Sequence, residues 1–400
     1  MLGKDLKVLI MIDQEKTPFW RDTRFLKILG QVILLLIILV TLLILGNNLV
    51  TNFQKLGLNF GFVFLIDGDT PARFGIGDSL IPYQSTDPYS RAILVGLLNS
   101  LRIMISGIIL AFIVGVTIAL ARLSTNWLLC KIATIYIEII RNTPLLLQLF
   151  FWYFAVFLRL PKIDNSVNFF NSIFFSNQGV YLPFPINNKQ TLLSVLFLIT
   201  SVILALIINH KKNQVILENQ ERRNIYQIIS ISLVIISIII IFIGLDWQFP
   251  EYNIAVQKIQ GGLHLLPEFT TLLVGLTLYT AAFIAEIVRA GIQSVSKGQW
   301  EAAKALGLRS GLMMQLVIFP QALRVMIPPL TSEFLNLVKN SSLAIAVAYN
   351  DIYSVSSTIS NQTGKSIEML LVLMVTYLTI NLIISVGMNR INREVQLKER

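Results

Sequence analysis

Residues 298–323 read GQWEAAKALGLRSGLMMQLVIFPQAL. Polar residues, a glycine and two stretches of helical spacing stand here between long apolar runs. A plain connector would need a handful of residues, yet this segment extends from about Arg289 to Pro328. Over 298–306, Trp300, Ala303 and Leu306 fall near one side of a helix, while Gln299, Glu301 and Lys304 lie elsewhere. Gly307 suits the left-handed position that stops a helix. Ser310 suits the cap of a second helix, and Leu312, Met313, Leu316 and Val317 would give that helix an apolar face. Pro320 marks a return toward the membrane. The expected product is a compact knob whose first helix, with small Ala302 and Ala303, projects as helix-in-groove docking requires. These residues equally allow an amphipathic connector lying on the membrane surface.

The surroundings are those of a membrane protein. The chain has 400 residues, of which 54% are hydrophobic and 14% charged; a soluble domain carries about 25% charged residues. Runs near the roughly 20 residues that cross a bilayer core occupy 29–46, 103–121, 144–159, 191–209, 226–245, 269–287 and 367–387. An eighth, about 328–348, is interrupted by Glu333, Lys339 and several Ser and Asn. The expected fold is an all-α integral membrane protein with about eight transmembrane helices. The run at 29–46 follows a charged tail without a clear small-residue cleavage site, which makes it a span rather than a signal peptide.

Lysine and arginine fix an orientation. With the N-terminus inside, 1–28, 122–143, 210–225, 288–327 and 389–400 hold 22 of the 32 basic residues, and the outside segments hold 7. Both termini and the 298–323 knob then face the cytoplasm, and the net charge of +10 needs no nucleic-acid partner: membrane topology and anionic lipid explain it. Cys130, alone, makes no disulfide or metal site. TGKS (363–366) lacks the second glycine of a phosphate loop, because position 359 is Ile, and it falls on the outer side. His210 and His264 fall on opposite sides of the membrane, so no nucleophile–base pair supports an enzyme.

Ionisable groups at membrane depth are costly and usually face a cavity or a partner. Glu333 and Lys339 are the leading candidates to line a path, and Asn336 and Asn340 share a helix face with Glu333. Glu333 could meet an ammonium group, with Asn336, Ser341 and Ser342 as hydrogen-bonding neighbours; the alternatives are interfacial placement or pairing with a partner chain. Tyr279, Thr280 and Glu286 are further candidates. Arg102 is expected to snorkel to the outer interface. IEIIRNTP (137–144) and AEIVRAGI (285–292) each place Glu and Arg three apart, as interfacial ion pairs would. The runs 191–209 and 226–245 carry no charge and read as lipid-facing additions, and 160–190 shows no clear period.

Glu301-Ala302-Ala303, Gly307 and Pro320 fit E-A-A, three residues, G, nine residues, I-x-L-P, with Val317 and Phe319 at the two apolar places. This resembles the coupling loop of ABC importer permeases. RNTPLLLQLFF (141–151), LYTAAFIAEIVRAGI (278–292), KGQWEAAKALGL (297–308), FPQALRVMIPPL (319–330) and VKNSSLA (338–344) resemble the polar amino-acid permease branch, the histidine/glutamine type. The extra first span and the inserted pair resemble the long permease subunit of general L-amino-acid and glutamate/glutamine/aspartate/asparagine transporters. The resemblance implies a tail (1–28), an extra helix and periplasmic loop (29–90), a first core part (91–160), an insertion (161–254), a second core part with the coupling loop (255–390) and a tail (391–400). It implies five core helices in the bacterial inner membrane and ATPase coupling through Gly298, Glu301, Ala302, Ala303, Gly307 and Pro320. The implied partners are a second permease subunit in a heterodimer, a cytoplasmic ATPase dimer that uses the ATP, and a periplasmic amino-acid-binding protein. No cofactor is expected on this chain. The competing reading is a self-sufficient ion-coupled carrier or channel with a cytoplasmic regulatory docking helix; against it, no paired broken helices in corresponding halves are evident.

Overall fold

In a bilayer core no water competes for backbone N–H and C=O groups, so long apolar runs satisfy them internally as helices. The computed structural model describes residues 23–55, 60–66, 71–170, 172–214 and 220–396. It divides into two compact units, Met1–Val63 and Phe64–Arg400. The first holds α1 (Thr23–Lys55), whose apolar side chains are exposed along its length, as lipid contact allows. Thr41 and Thr51 donate their hydroxyls to the carbonyls of Ile37 and Asn47, each at 2.8 Å. Most of the expected N-terminal tail, and residues 397–400 of the C-terminal one, lie outside the described residues.

After the single turn α2 (Val63–Ile66) come α3 (Tyr89–Arg122), α4 (Trp127–Arg141) and α5 (Leu145–Phe150), which continues through a wide π turn and a 3-10 turn to Arg159. Strands β1 (Val167–Phe169), β2 (Ile173–Ser176), β3 (Gly179–Leu182) and β4 (Phe184–Pro185) precede α6 (Lys189–Gln214) and α7 (Gln220–Ile239). Strands β5 (Trp247–Gln248), β6 (Glu251–Asn253), β7 (Lys258–Gln260) and β8 (Leu263–Leu265) lead into α8 (Pro267–Gln293) and α9 (Lys297–Ala305). The chain ends with α10 (Ser310–Met313), α11 (Phe319–Asn340), α12 (Ile352–Thr363) and α13 (Ser366–Val395).

The helical expectation holds for the membrane part. Among the described residues, six helices are long and apolar enough to cross a membrane, or seven if the bent pair α4–α5 is one span. The run at 191–209 lies in the 26-residue α6, of which Lys189–Ala205 is the described apolar part. The weak run at 328–348 is the end of a continuous helical passage, Ser310–Val347. The strands depart from the all-α expectation. β1-β2-β3-β8 form an antiparallel sheet in which Val180 opposes Leu265 and Tyr181 opposes His264. Alternate residues of β3 point to opposite faces. Val180 joins a core with Leu265, Leu149 and Leu272, while Tyr181 packs with Phe174, Ile163 and Ile259. Burial alternates along IFFS but not along GVYL, whose first three residues are all buried, and each strand has only four residues.

Lipid tails remove most of the hydrophobic drive between membrane helices, so close approach and hydrogen bonds carry the packing. Gly115 on α3 permits the main crossing: a Cβ there would stand 2.7 Å from Ile284 and 3.0 Å from the Ala281 carbonyl of α8. The pair α4–α5 bends by 106°, so the expected connector 122–143 is largely a helix. Pro144 has no N–H to offer the Ile140 carbonyl one turn back. Gln148 replaces it, its Nε2 donating to the Ile140 carbonyl at 2.9 Å and to Thr143 Oγ1 at 2.6 Å. Helices α6 and α7 pair through Ser201 and Ser237, whose hydroxyls meet at 2.8 Å, and present apolar side chains outward, in keeping with a lipid-facing pair.

Candidate functional site

Helix α9 has two unlike faces. Ala303 is 2% exposed, and Trp300 packs with it onto a core of Val295, Met313 and Ile318. Gln321 Nε2 donates to Gln299 Oε1 at 3.1 Å, which ties α9 to α11. The other face presents Glu301, Ala302, Lys304, Ala305 and Leu306, all exposed, with open space around Gly298. Gly307 ends the helix at φ +70°. Its N–H donates to the Lys304 carbonyl at 2.9 Å, and the Leu308 N–H donates to the Ala303 carbonyl at 3.2 Å. That pair of bonds is a Schellman cap, which needs a left-handed residue where Gly307 stands.

The second half of the knob departs from expectation. Arg309, not Ser310, occupies the cap position, and no side chain caps the helix. Leu312 and Leu316 are exposed; Met313 and Ile318 are the buried residues. The cause is the π turn over Met314–Ile318, which adds a residue to one turn and shifts the inward face from Met313 to Ile318. Pro320 stands in the first turn of α11, and its missing N–H leaves the Leu316 carbonyl without an α-helical partner beside that wide turn. The chain therefore reverses at 306–309, and Pro320 lies within the ascending helix.

Three expected path residues come together, two on α11 and one on α8. Half-buried Glu333 lies within electrostatic reach of Asn336 on its own helix and of Arg141 and Tyr279. Arg141 sits 5.3 Å over the Phe283 ring, which lies 5.0 Å from Tyr279. The cluster thus offers a carboxylate, a guanidinium, an amide and a phenol across three helices. The other candidates do not join it. Lys339 is exposed and makes no ion pair among the described residues. Ser341 and Ser342 open a 3-10 turn, and their hydroxyls donate to the carbonyls of Val338 and Lys339, each at 2.8 Å. Thr280 is buried. Glu286 accepts from Arg122 of α3 and from Arg289, whose Nε lies 3.2 Å away, so it closes a latch between α3 and α8. Its expected counterpart does not form: Glu138 accepts from Asn142 at 3.4 Å, and Arg141 has turned to Phe283.

The comparisons join this architecture to known proteins. The family model described as "Binding-protein-dependent transport system inner membrane component" matches residues 201–397. "Putative amino-acid ABC transporter permease protein YhdX" of Escherichia coli (strain K12) is 45% identical over 88% of this chain and 90% of its own length. "General L-amino acid transport system permease protein AapQ" of Rhizobium johnstonii is 38% identical over 95% of this chain and 94% of its own. "Glutamate/glutamine/aspartate/asparagine transport system permease protein BztB" of Rhodobacter capsulatus is 40% identical over 95% and 96%. The chain belongs to the family of binding-protein-dependent ABC transporter permeases. It is a multi-pass transport subunit of an importer that works with an ATPase and a binding protein, and the reading as a self-sufficient carrier is not favoured.

The strand-bearing end of this permease holds residues that sequence reasoning missed. Arg102 does not snorkel: its NH1 donates to Asp78 Oδ2 at 2.8 Å, and its guanidinium lies 4.0 Å over Phe269. Asn99 Nδ2 donates to the carbonyls of Asp78 at 2.7 Å and Asn350 at 3.0 Å. Ser100 Oγ accepts the Ile352 N–H at 2.9 Å. Asp351 is fully buried and caps α12 by accepting the Ser354 N–H at 2.8 Å, with Tyr377 Oη 3.4 Å away. Burial pushes its carboxyl up to about 7. TGKS forms the turn between α12 and α13, with Gly364 as a left-handed cap. A polar residue spaced alone in a helix was the one available signal, and it did not identify these partners.

Proposed function

We propose that this permease passes polar L-amino acids across the inner membrane, driven by a separate ATPase that grips α9. The observation that carries the coupling role is the open face of Glu301, Ala302, Lys304 and Ala305 on a helix whose other face is anchored by Trp300 and Ala303. Gly298 and Gly307 bound that helix, and Pro320 relieves the turn that joins it to α11. Movement of α9 then passes to α11 and its polar cluster as a rigid push.

The substrate class rests on chemistry and on relatives. Glu333 and Arg141, with Asn336 and Tyr279 beside them, offer opposite charges to the ammonium and carboxylate of a zwitterion. AapQ and BztB carry amino-acid names. A second permease subunit completes the path, an ATPase pair docks from the cytoplasm, and a periplasmic protein delivers the amino acid. The ATP is used by the ATPase; this chain binds no cofactor and performs no catalysis. Both termini face the cytoplasm, as the basic residues direct.

Uptake of a panel of labelled amino acids tests this reading in cells with and without the chain. Loss of uptake of several polar amino acids, mimicked by ATP depletion and not by collapse of ion gradients, is the expected result. Uptake that follows the gradients would overturn it.

A further inference from the structure

Between the end of α7 and the β4–β5 pair lies a groove of about 550 Å³, within the roughly 300–1,000 Å³ range of small-molecule sites. The span of α7 runs on through a wide π turn over Ile240–Gly244, and β5 begins directly beyond it at Trp247. The groove therefore stands at the boundary between hydrocarbon and water. Hydrogen bonds hold its frame. Ser194 of α6 donates its hydroxyl to the Gly244 carbonyl at 2.7 Å, and the Ile186 N–H donates to the Asp246 carbonyl at 2.8 Å. Trp247 Nε1 donates to the Ile241 carbonyl at 2.7 Å, which turns the indole back onto the end of α7.

The wall changes character along its length. Phe242 and Ile243, 75% and 76% exposed, belong to the last turn of the span and continue the lipid-facing surface of α6 and α7. Trp247 and Phe249 follow at the level where aromatic side chains gather in membrane proteins. Gln190 and Asp246 form the polar end, and Asp246 is the charged residue of the wall. Its Oδ2 accepts from Asn188 Nδ2 at 2.9 Å, and it makes no ion pair among the described residues. A neutral amide on one oxygen leaves the charge uncompensated and the other oxygen with acceptor capacity. No lysine or arginine lines the groove. An apolar surface that leads out of a bilayer into aromatic rings and a carboxylate is complementary to a molecule with acyl chains and a cationic head.

We propose that this groove binds a phospholipid whose headgroup carries a primary ammonium, as phosphatidylethanolamine does. Asp246 pairs with the ammonium, and the faces of Trp247 and Phe249 attract the same cation. The acyl chains run on along Phe242 and Ile243. A lipid held in this way fills the wedge between α7 and β4–β5 and keeps the α6–α7 pair at a fixed depth. The inference concerns the inserted pair and not the transport path, so it stands apart from the reading as an amino-acid importer.

The test uses the complete transporter in vesicles of phosphatidylethanolamine and phosphatidylglycerol in equal amounts. A trace of one lipid or the other carries a photoreactive group on its acyl chain, so that the headgroup stays intact. After illumination and digestion, mass spectrometry compares label on residues 240–250 with label on α1, a helix in general lipid contact. An exposed ion pair corresponds to at most about a fivefold effect. The phosphatidylethanolamine probe is expected to label 240–250 up to about fivefold more than the phosphatidylglycerol probe, while α1 shows no preference. Asp246→Asn, which keeps the shape and removes the charge, is expected to abolish the preference. If that variant fails to assemble, Phe249→Leu, which removes a half-exposed ring, is expected to lower it. Equal labelling of 240–250 by the two probes in the wild type would mean general lipid contact only and overturns the site. A preference that survives both substitutions overturns it as well. Absence of label from 240–250 with both probes, while α1 is labelled, would mean that protein covers the groove, and this too overturns the proposal.

Discussion

Gln148 shows how one side chain lets a membrane helix bend. Pro144 removes a donor, and Gln148 Nε2 supplies one to the carbonyls of Ile140 and Thr143 at the break, where the Thr143 hydroxyl adds only a long bond of 3.3 Å to Ile140. Gln148→Leu keeps the volume and removes the donor, so it should lower stability by about 1–3 kcal/mol, read as a reduced melting temperature of the purified complex. Asp351 makes a different prediction. Its folded-state carboxyl titrates at about 7, against about 3.9 when exposed. A raised value means that the folded state holds the proton more tightly. The stability from this group is fully present below pH 4 and is lost as pH rises to 7. Asp351→Asn keeps the cap and cannot ionise. The melting temperature of the wild type should therefore fall more steeply than that of Asp351→Asn between pH 4 and 7, by several degrees. Parallel curves would remove the buried charge from the account.

At the scale of elements, α9 and its cap are the part most legible in the sequence. Gly307 and the spacing of Trp300 and Ala303 are local signals, and the Schellman cap and buried face follow from them. The π turn was not legible, because one extra residue in a turn leaves no compositional mark. Arg102 was misread for a related reason. Its partner Asp78 lies in a loop 24 residues earlier, and pairing at that range is set by the fold rather than by spacing. The strands were hidden by their length. For α9, Gly307→Val places a β-branched residue at φ +70°, a strain of order 1–3 kcal/mol, and distorts the cap. Glu301→Lys reverses the charge of the open face without touching the core. Each should leave the chain in the membrane at normal abundance and abolish uptake. Normal uptake by either variant at normal abundance would refute the coupling role.

Across the whole molecule, the composition, the apolar runs and the order of the motifs led to the right family, and the described residues show six or seven spans beside the about eight expected. Hydropathy sees each run separately and cannot tell a bent pair from a straight crossing. The excess of basic residues in alternate segments supplies what hydropathy lacks, because it assigns a side to every loop. The two ends of the Phe64–Arg400 unit can therefore be assigned by labelling. With Cys130 replaced by Ser, a single cysteine at Glu301 marks the α9 end and one at Gln257, in the β6–β7 turn, marks the strand-bearing end; both positions are exposed. A membrane-impermeant maleimide added to intact cells, with the outer membrane permeabilised, should label the cysteine at 257 and spare the one at 301. Inverted vesicles should give the opposite pattern. Labelling of both positions from one side would break the alternation from which the orientation is drawn. Reversed labelling would put α9 on the face away from ATP, and a cytoplasmic ATPase could not reach it.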